Sequence, residues 1–166
     1  TRVTKVTMSE NVTKIGDYAF QNCDSLTSLV IPGSVLSLGT HAFADCENLT
    51  TVILEEGVVK IGDKAFHSCK SIKKIDIPAS IAEIADDAFL YCESLDSISV
   101  DKKNTMYCSV DGVMYSKNKE TLACYPAGRK EKEFSILKTV KNIGANAFYY
   151  ASNLANVTIP SSVREI

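Results

Sequence analysis

One stretch of the chain decides its fold: Ile15-Gly16-Asp17-Tyr18-Ala19-Phe20-Gln21-Asn22-Cys23-Asp24-Ser25-Leu26. Its Ala-Phe pair returns at positions 42–43, 65–66, 88–89 and 147–148. The phenylalanines of the first four pairs are 23 residues apart, and the phenylalanine of the fifth pair follows 59 residues later. A fixed period of this length is typical of a repeat architecture, in which each unit buries its apolar face only against its neighbours.

Each copy continues into an apolar triplet, of which Leu26, Leu29 and Ile31 form the first complete example. The last residues of each triplet alternate apolar and polar side chains and are rich in β-branched residues, which indicates a half-buried strand. The spacing predicts seven parallel strands, near residues 5–8, 28–31, 51–54, 74–77, 97–100, 133–136 and 156–159.

A turn that carries the Ala-Phe pair precedes each triplet. Asp17, Thr40, Asp63 and Asp86 stand two residues before the pair and are good N-cap residues, so we expect a short helical turn there. Parallel strands joined by short helical turns on the opposite side make a right-handed solenoid. The predicted fold is therefore an α/β repeat with a parallel sheet of about seven short strands on its concave face.

Two columns of the repeat predict a buried structural ladder. Its members are Phe20, Phe43, Phe66, Phe89 and Phe148 with Cys23, Cys46, Cys69 and Cys92. A free cysteine packs as a small hydrophobe, and the chain has no CxxC pair that would indicate zinc. We expect reduced thiols, while a strained disulfide between adjacent rungs stays open as an alternative.

The repeat with strand 97–100 is followed by an irregular segment, 101–132, that lacks an Ala-Phe pair. Asp111-Gly112 between two valines is a strong signal for a two-residue hairpin turn, and the polar residues 117–120 indicate a second turn. The charged stretch 129–133 is interpreted as a solvated loop. The irregular repeat is thus predicted to hold a β-hairpin insert within a single solenoid that covers residues 1–166.

Composition and charge exclude several classes of function. The net charge of −2 comes from interspersed acids and bases, which argues against a nucleic-acid partner. No apolar run approaches the ~20 residues of a membrane span, so no membrane insertion is expected. The chain starts without Met and stops inside a repeat, which favours a segment of a longer array. Apolar residues at both ends predict fraying or end-to-end self-association.

The chemistry-bearing residues do not form a catalytic pattern. His41 and His67 fall in different columns of the turn and are interpreted as exposed turn residues without a nucleophile or metal partner. Phosphate-loop, metalloprotease and nucleophile-elbow motifs are missing from the sequence. We therefore expect neither an enzyme, nor a cofactor, nor a metal site.

The candidate ligand-binding residues are the outward positions of the strands and two tyrosines of the insert. They are Ser28, Val30, Thr51, Ile53, Lys74, Asp76, Ser97, Ser99, Tyr115 and Tyr125. Solenoids use such a concave sheet for binding, and an exposed apolar pair can mark a contact site. Two exposed aliphatic residues can also be incidental, and the tyrosines can serve hairpin packing instead.

The repeated word Ile-Gly-x-x-Ala-Phe-x-x-Cys-x-x-Leu-x-x-Leu-x-Ile-Pro resembles the BspA-like subclass of leucine-rich repeats. The segment from Tyr107 to Gly128 is also similar to a hairpin insert of that family. The copies depart from the pattern only at single positions: Glu55, Ala85, Asp101, Ala145 and Ala151. The resemblance implies a cell-surface or secreted protein, often an adhesin for host matrix proteins or other cells, and no catalytic residues.

Three functions follow from these observations. The first is a non-catalytic module that binds a protein or glycan of the host matrix or another cell surface, on the concave strand face and on the hairpin insert. The second is a structural stalk or spacer that displays other domains. The third is a regulatory or substrate-recognition segment of a larger enzyme.

Overall fold

The computed structural model describes residues 2–166, in which the chain forms fourteen short β-strands and no helix. In chain order the strands are β1 (Lys14–Ile15), β2 (Ser28–Ile31), β3 (Ser37–Leu38), β4 (Thr51–Leu54), β5 (Lys60–Ile61), β6 (Lys74–Ile77), β7 (Glu83–Ile84), β8 (Ser97–Val100), β9 (Tyr107–Val110), β10 (Val113–Ser116), β11 (Thr121–Cys124), β12 (Glu133–Ser135), β13 (Asn142–Ile143) and β14 (Asn156–Thr158).

The strands form two columns along a parallel-strand solenoid. The first column holds β2, β4, β6, β8, β12 and β14, and its outward surface is called the strand face below. The second column begins with β1, β3, β5 and β7, which make one parallel four-stranded sheet. We use the name arc for the turn that carries each Ala-Phe pair, at residues 16–25, 39–48, 62–71, 85–94 and 144–153.

The first column differs from the single sheet of seven strands that the spacing predicts. It contains six strands in three parallel pairs, β2–β4, β6–β8 and β12–β14, and no ladder joins β4 to β6 within residues 2–166. Residues 5–8 are not a strand because no ladder connects them to β2. Val6 and Met8 nevertheless pack against the core.

The prediction of helical turns is wrong, because alternate backbone N–H groups of an arc, such as Tyr18, Phe20 and Asn22, donate to the next coil. Tyr18 and Asn22 of the first arc both have φ of 58°, and the corresponding residues of most other arcs are also left-handed. A residue with positive φ cannot continue a right-handed helix. Phe20 N donates instead to Ala42 O at 2.8 Å, and Phe43 N donates to Ala65 O at 2.8 Å, so each arc bonds to the arc of the next coil.

The polar residue before the Ala-Phe pair also acts between coils and not as a helix cap. Asp17 Oδ1 accepts a hydrogen bond from Thr40 N at 2.8 Å, one coil further along. The same close approach explains two glycines of the neighbouring column, Gly39 and Gly62, whereas a Cβ at Gly16 would meet no atom within 4 Å. A Cβ at Gly62 would lie 2.6 Å from Leu38 O and one at Gly39 would lie 2.3 Å from Asp17 Oδ1, so a side chain there would push adjacent coils apart.

Four phenylalanine rings lie one above another in the core. The ring centroids of Phe20 and Phe43 are 5.2 Å apart, those of Phe43 and Phe66 are 5.7 Å apart, and those of Phe66 and Phe89 are 5.9 Å apart. The planes differ by 10° or less, within the range of stacked aromatic pairs. Phe148 does not extend this stack; it packs against Tyr125 and Phe134 in a second cluster.

The insert separates these two apolar clusters. Its turn at Asp111 and Gly112 has φ of 50° and 79°, and Val110 pairs with Val113, as the Asp-Gly signal predicts. Successive side chains of a strand point to opposite faces. Met114 of β10 accordingly packs into the first cluster, whereas Val113 and Tyr115 pack into the second.

We expect Phe66→Ala to lower the free energy of unfolding by ~3–5 kcal/mol, because it opens a cavity at a fully buried ring inside the stack. The matched control is Phe20→Ala, since Phe20 is only partly buried at one end of the stack. Urea unfolding of both variants measures the difference. Equal losses would contradict a core that is continuous through the ring stack.

Candidate binding surface and the packing of the insert

The strand face carries the outward side chains that the alternation predicts. In β2, β4 and β6 the pattern is exposed, buried, exposed, buried. Ser28, Thr51, Lys74, Asp76 and Ser99 are exposed and Ser97 is half-buried. These residues therefore lie on the accessible side of the column. Their part in ligand binding stays a prediction.

Val30 and Ile53 form an apolar pair on this face. They are Cα partners in the β2–β4 ladder, and they are 45% and 49% exposed. Their neighbours along the same strands, Leu29 and Val52, are buried, so the side chains of Val30 and Ile53 point outward. The pair offers a small, rigid apolar contact.

The charged residues beside this pair neutralise each other. Lys74 Nζ lies 2.8 Å from Asp76 Oδ1 on the same strand, with both side chains more than half exposed. An exposed pair of this kind adds little energy. Ser97 and Ser99 oppose them in the β6–β8 ladder. The strand face is therefore apolar at β2–β4 and polar but nearly neutral at β6–β8.

The two tyrosines predicted to contact a ligand lie in the core instead. Tyr115 is 1% exposed and Tyr125 is 3% exposed. Burial raises the pKa of Tyr115 to about 12. The side chains face inward because the insert supplies one wall of the second cluster, so neither ring is accessible to a partner.

Tyr125 takes the place of a phenylalanine in the irregular coil. Its backbone N donates to Ala147 O at 2.8 Å, the same bond that Phe20 N makes to the alanine of the next Ala-Phe pair. Its ring centroid is 5.3 Å from Phe148 and 4.9 Å from Phe134. The coil without an Ala-Phe pair thus keeps an aromatic ring in the core.

Three side chains of the insert complete the open edge of the fourth coil. Tyr107 Oη accepts from Ile84 N at 3.0 Å, and Ser109 Oγ accepts from Val100 N at 3.0 Å. Asn104 is fully buried; its Nδ2 donates to Pro78 O at 3.0 Å and Ile81 O at 2.8 Å. Its Oδ1 accepts from Met106 N and Tyr107 N. Sequence reasoning missed these residues because they belong to no column.

The charged stretch after the insert is not wholly a solvated loop. The side chain of Arg129 is only 12% exposed, and its guanidinium carbon lies 5.5 Å from the Tyr125 ring centroid. Its Nη1 donates to Asp111 O at 2.5 Å and its Nη2 to Glu131 at 2.6 Å. Arg129 therefore fixes the tip of the hairpin against the second cluster.

All six cysteines are free thiols, and the four in the repeat column are buried. Cys46 Sγ donates to Phe20 O at 3.3 Å, and the equivalent bonds join Cys69 to Phe43 O at 3.1 Å and Cys92 to Phe66 O at 3.2 Å. Each thiol thus bonds the phenylalanine carbonyl of the preceding coil. Burial raises the pKa of Cys92, and it raises that of Cys124 to about 12.

The two histidines lie in the turns, as predicted, but they are half-buried and not exposed. His67 lies 2.9 Å from Ser68 Oγ through Nδ1, and 3.8 Å from an Asp45 carboxylate oxygen. Its pKa is lowered, chiefly by burial. The imidazole centroids of His41 and His67 are 6.1 Å apart. Within residues 2–166 no group of three or more His, Cys, Asp or Glu side chains is placed to hold a metal ion.

The stacked parallel coils, the repeated inward Leu, Ile and Phe positions and the cysteine column define a leucine-rich-repeat solenoid. A profile of the family described as BspA type leucine rich repeat region matches six copies over residues 1–110 and 124–166. The chain belongs to this family. The unmatched residues 111–123 fall inside the hairpin insert.

Solved structures give the same result. A leucine-rich repeat protein from Eubacterium ventriosum is 32% identical, with a TM-score of 0.76 over 92% of this chain and 46% of its own length. One from Bacteroides capillosus is 38% identical, with a TM-score of 0.51, over 54% of this chain and 64% of its own. The pneumococcal vaccine antigen PcpA is 23% identical and shares the fold, with a TM-score of 0.80 over 91% of this chain and 43% of its own.

The chain spans less than half the length of the Eubacterium protein and of PcpA. Among curated proteins no relative matches. None of the three solved relatives is described as an enzyme. The part of the chain that the structure describes holds no helix able to cross a membrane.

We expect Asn104→Ala to lower the free energy of unfolding by at least about 2 kcal/mol, because it strips partners from buried backbone groups at the insert junction. The matched control is Asn48→Ala, since Asn48 is exposed and makes one bond to Asp24 O; its cost should stay within about 0.5 kcal/mol. Urea unfolding measures both. Similar small losses would show that Asn104 does not hold the insert in place.

We also expect Cys69, Cys92 and Cys124 of the native chain to react slowly with iodoacetamide at pH 8, because their pKa values are raised. A raised pKa lowers the fraction of reactive thiolate, and burial blocks access. Mass spectrometry should find the half-buried Cys108 modified before Cys69 and Cys92, while guanidinium exposes all six thiols. Rapid native modification of Cys92 would contradict the buried column.

Proposed function

We propose that this chain is a non-catalytic binding module of a cell-surface or secreted protein, with a protein or glycan ligand on the strand face. The single observation that carries the proposal is the exposed pair Val30 and Ile53, held in register by the β2–β4 ladder. A rigid apolar contact costs little conformational entropy on binding. Leucine-rich-repeat solenoids use extended sheet surfaces in this way, and the surface location is what the family resemblance implies.

Polar side chains of the strand face form a rim around this apolar pair. Ser28 and Thr51 flank the pair on the same strands, and Lys74 and Asp76 lie on β6. Interfaces commonly combine an apolar centre with a hydrogen-bonding rim. The insert supports the proposal only as a scaffold, because its tyrosines are buried.

A structural spacer is the alternative, and one observation favours it. The outward residues of β8, β12 and β14 are small or polar, including Ser99, Ser135 and Thr158. A spacer needs such a surface for solubility and has no ligand of its own. Binding data separate the two functions.

Self-association through the last coil remains a further proposal. Val157, Ile159 and Ile166 are exposed, with Ile166 at 84%. β14 pairs only with β12, so its other edge is unpaired within the described residues. An apolar, unpaired edge favours contact with another chain.

The test is a binding screen of this chain against matrix proteins and glycans, followed by Val30→Glu with Ile53→Glu. We expect at least about tenfold weaker binding, because a buried unpaired charge costs more than the ~1.4 kcal/mol that a tenfold change represents. The matched control is Leu36→Glu with Val59→Glu, since these residues are also apolar, exposed and adjacent, but lie off the strand face.

The two double variants carry the same change in charge, so only position differs between them. Equal binding by both double variants would exclude the strand face as the ligand-binding surface. A screen without any ligand would favour the spacer.

A further inference from the structure

A row of six rings crosses the arc side of the solenoid. We call it the ring row; its members are Tyr18, His41, His67, Tyr91, Tyr149 and Tyr150. It takes a ring from each of the five arcs, and neighbouring ring centroids are between 5.1 and 6.1 Å apart. The row is separate from the phenylalanine stack and from the strand face.

The rings support one another along the whole row. Tyr18 stacks on His41 at 5.1 Å with planes 13° apart, and His67 meets Tyr91 edge-on at 5.2 Å. Beyond the insert, Tyr149 meets Tyr91 edge-on at 5.1 Å, and its hydroxyl donates to Tyr91 Oη at 2.5 Å. The row therefore continues across the irregular coil, where the phenylalanine stack stops.

Solvent reaches most of this row. Tyr18 is 56% exposed and Tyr150 is 47% exposed, although both are large aromatic residues. Tyrosine supplies a large contact area with a polar tip and few rotatable bonds. Rings already held by their neighbours lose little further freedom when a partner binds. The ring row thus has the properties of a preorganised contact surface.

The arcs around the row are acidic. The first four arcs, at 16–25, 39–48, 62–71 and 85–94, contain eight Asp or Glu residues but only two Lys. Lys70, one of those two, is bound to Glu47 at 2.7 Å. Because the whole chain has a net charge of −2, the rest of it is net positive. Negative charge is therefore concentrated on the side that carries the rings.

Two of these carboxylates, those of Asp45 and Asp87, lie beside the ring row. An oxygen of Asp45 lies 3.8 Å from His67 Nδ1. Asp87 lies one coil further on, where its Oδ1 accepts from the backbone N of Lys64 at 3.2 Å, and Lys64 occupies the column of Tyr18 and His41. Ring faces attract cations, and carboxylates beside them add attraction of the same sign.

We propose that the ring row binds a lysine- or arginine-bearing segment of a partner polypeptide. The lysine or arginine side chains contact the tyrosine rings, and the surrounding carboxylates attract the segment and set its orientation. Charge favours this partner over a neutral glycan, which would make no use of eight carboxylates. The proposal concerns a different surface from the strand face and stands independently of the ligand proposed there.

The test uses a fluorescently labelled octalysine peptide and the intact chain, with fluorescence anisotropy as the readout. We expect saturable binding at ~50 mM salt that weakens at ~300 mM, because screening shortens the range of the attraction. Octaglutamate and a neutral β-linked oligosaccharide should not bind. An octaglutamate complex as strong as the octalysine complex would overturn the charge argument.

The decisive variant is Tyr18→Asn with Tyr150→Asn. Both tyrosines have φ of 58°, which asparagine tolerates. The same two columns already hold Asn146 and Asn22 in other arcs, each with φ of 58°. The fold should therefore survive, as circular dichroism and urea unfolding check. We expect about tenfold weaker octalysine binding, since two cation–π contacts are lost. Tyr149→Leu, at a position outside the left-handed region, serves as a second variant.

Neutralising variants test the carboxylates. Asp45→Asn with Asp87→Asn keeps an accepting oxygen and removes two charges, and it should weaken octalysine binding and reduce its dependence on salt. Glu10→Gln with Glu165→Gln removes the same charge away from the arcs and should leave binding nearly unchanged. Val30→Ser with Ile53→Ser should also leave it unchanged, which separates this surface from the strand face.

Several outcomes would overturn the proposal. These are no octalysine binding at low salt, or equal binding by the Tyr18/Tyr150 variant and the parent chain. Oligosaccharide binding that depends on the same tyrosines would assign the row to a glycan. A concentration-dependent dimer that the tyrosine variant abolishes would assign it to a second copy of this chain.

Discussion

The structure depends on lateral bonding between coils. Turn bonds within a coil, such as the one from Leu26 N to Cys23 O, satisfy only part of its backbone. Phe20 N bonds to Ala42 O of the next coil, and the Phe20 ring is covered by Phe43. Because each coil needs the next one for hydrogen bonds and for burial of its apolar side chains, the same residue types recur every 23 positions. The cysteine column follows the same rule, since Cys46, Cys69 and Cys92 each donate to a phenylalanine carbonyl one coil back.

The insert replaces the hydrogen-bond partners that a regular fifth coil would provide. The fourth coil would have unpaired backbone groups at Ile84 and Val100, and Tyr107 and Ser109 provide the missing acceptors. β10 then divides the interior into two clusters, and Tyr125 restores an aromatic ring to the second. The insert therefore connects the two apolar clusters, which explains why its tyrosines are not on the surface.

The two surfaces that we propose for partners differ in chemistry. The strand face is nearly neutral with one apolar pair, whereas the arcs combine exposed rings with carboxylates. Both are rigid because they are built on coils whose positions are set by neighbours on each side. A binding module of this family can in this way present different chemistry on opposite sides of one small solenoid.

The sequence by itself determined the repeat period, the ring stack from Phe20 to Phe89, the buried cysteine column, the Asp-Gly hairpin and the outward residues of the strand face. Each is a local property or a column property, so spacing reveals it. Only the tertiary structure decided that the arcs are not helical. Residues such as Tyr18 and Lys64 have positive φ and donate to the next coil, Tyr18 N to Thr40 O and Lys64 N to Asp87 Oδ1. The same holds for the burial of Tyr115 and Tyr125, which depends on how the insert docks. The ring row was also beyond the sequence, since its members come from three different columns and meet only when the coils stack.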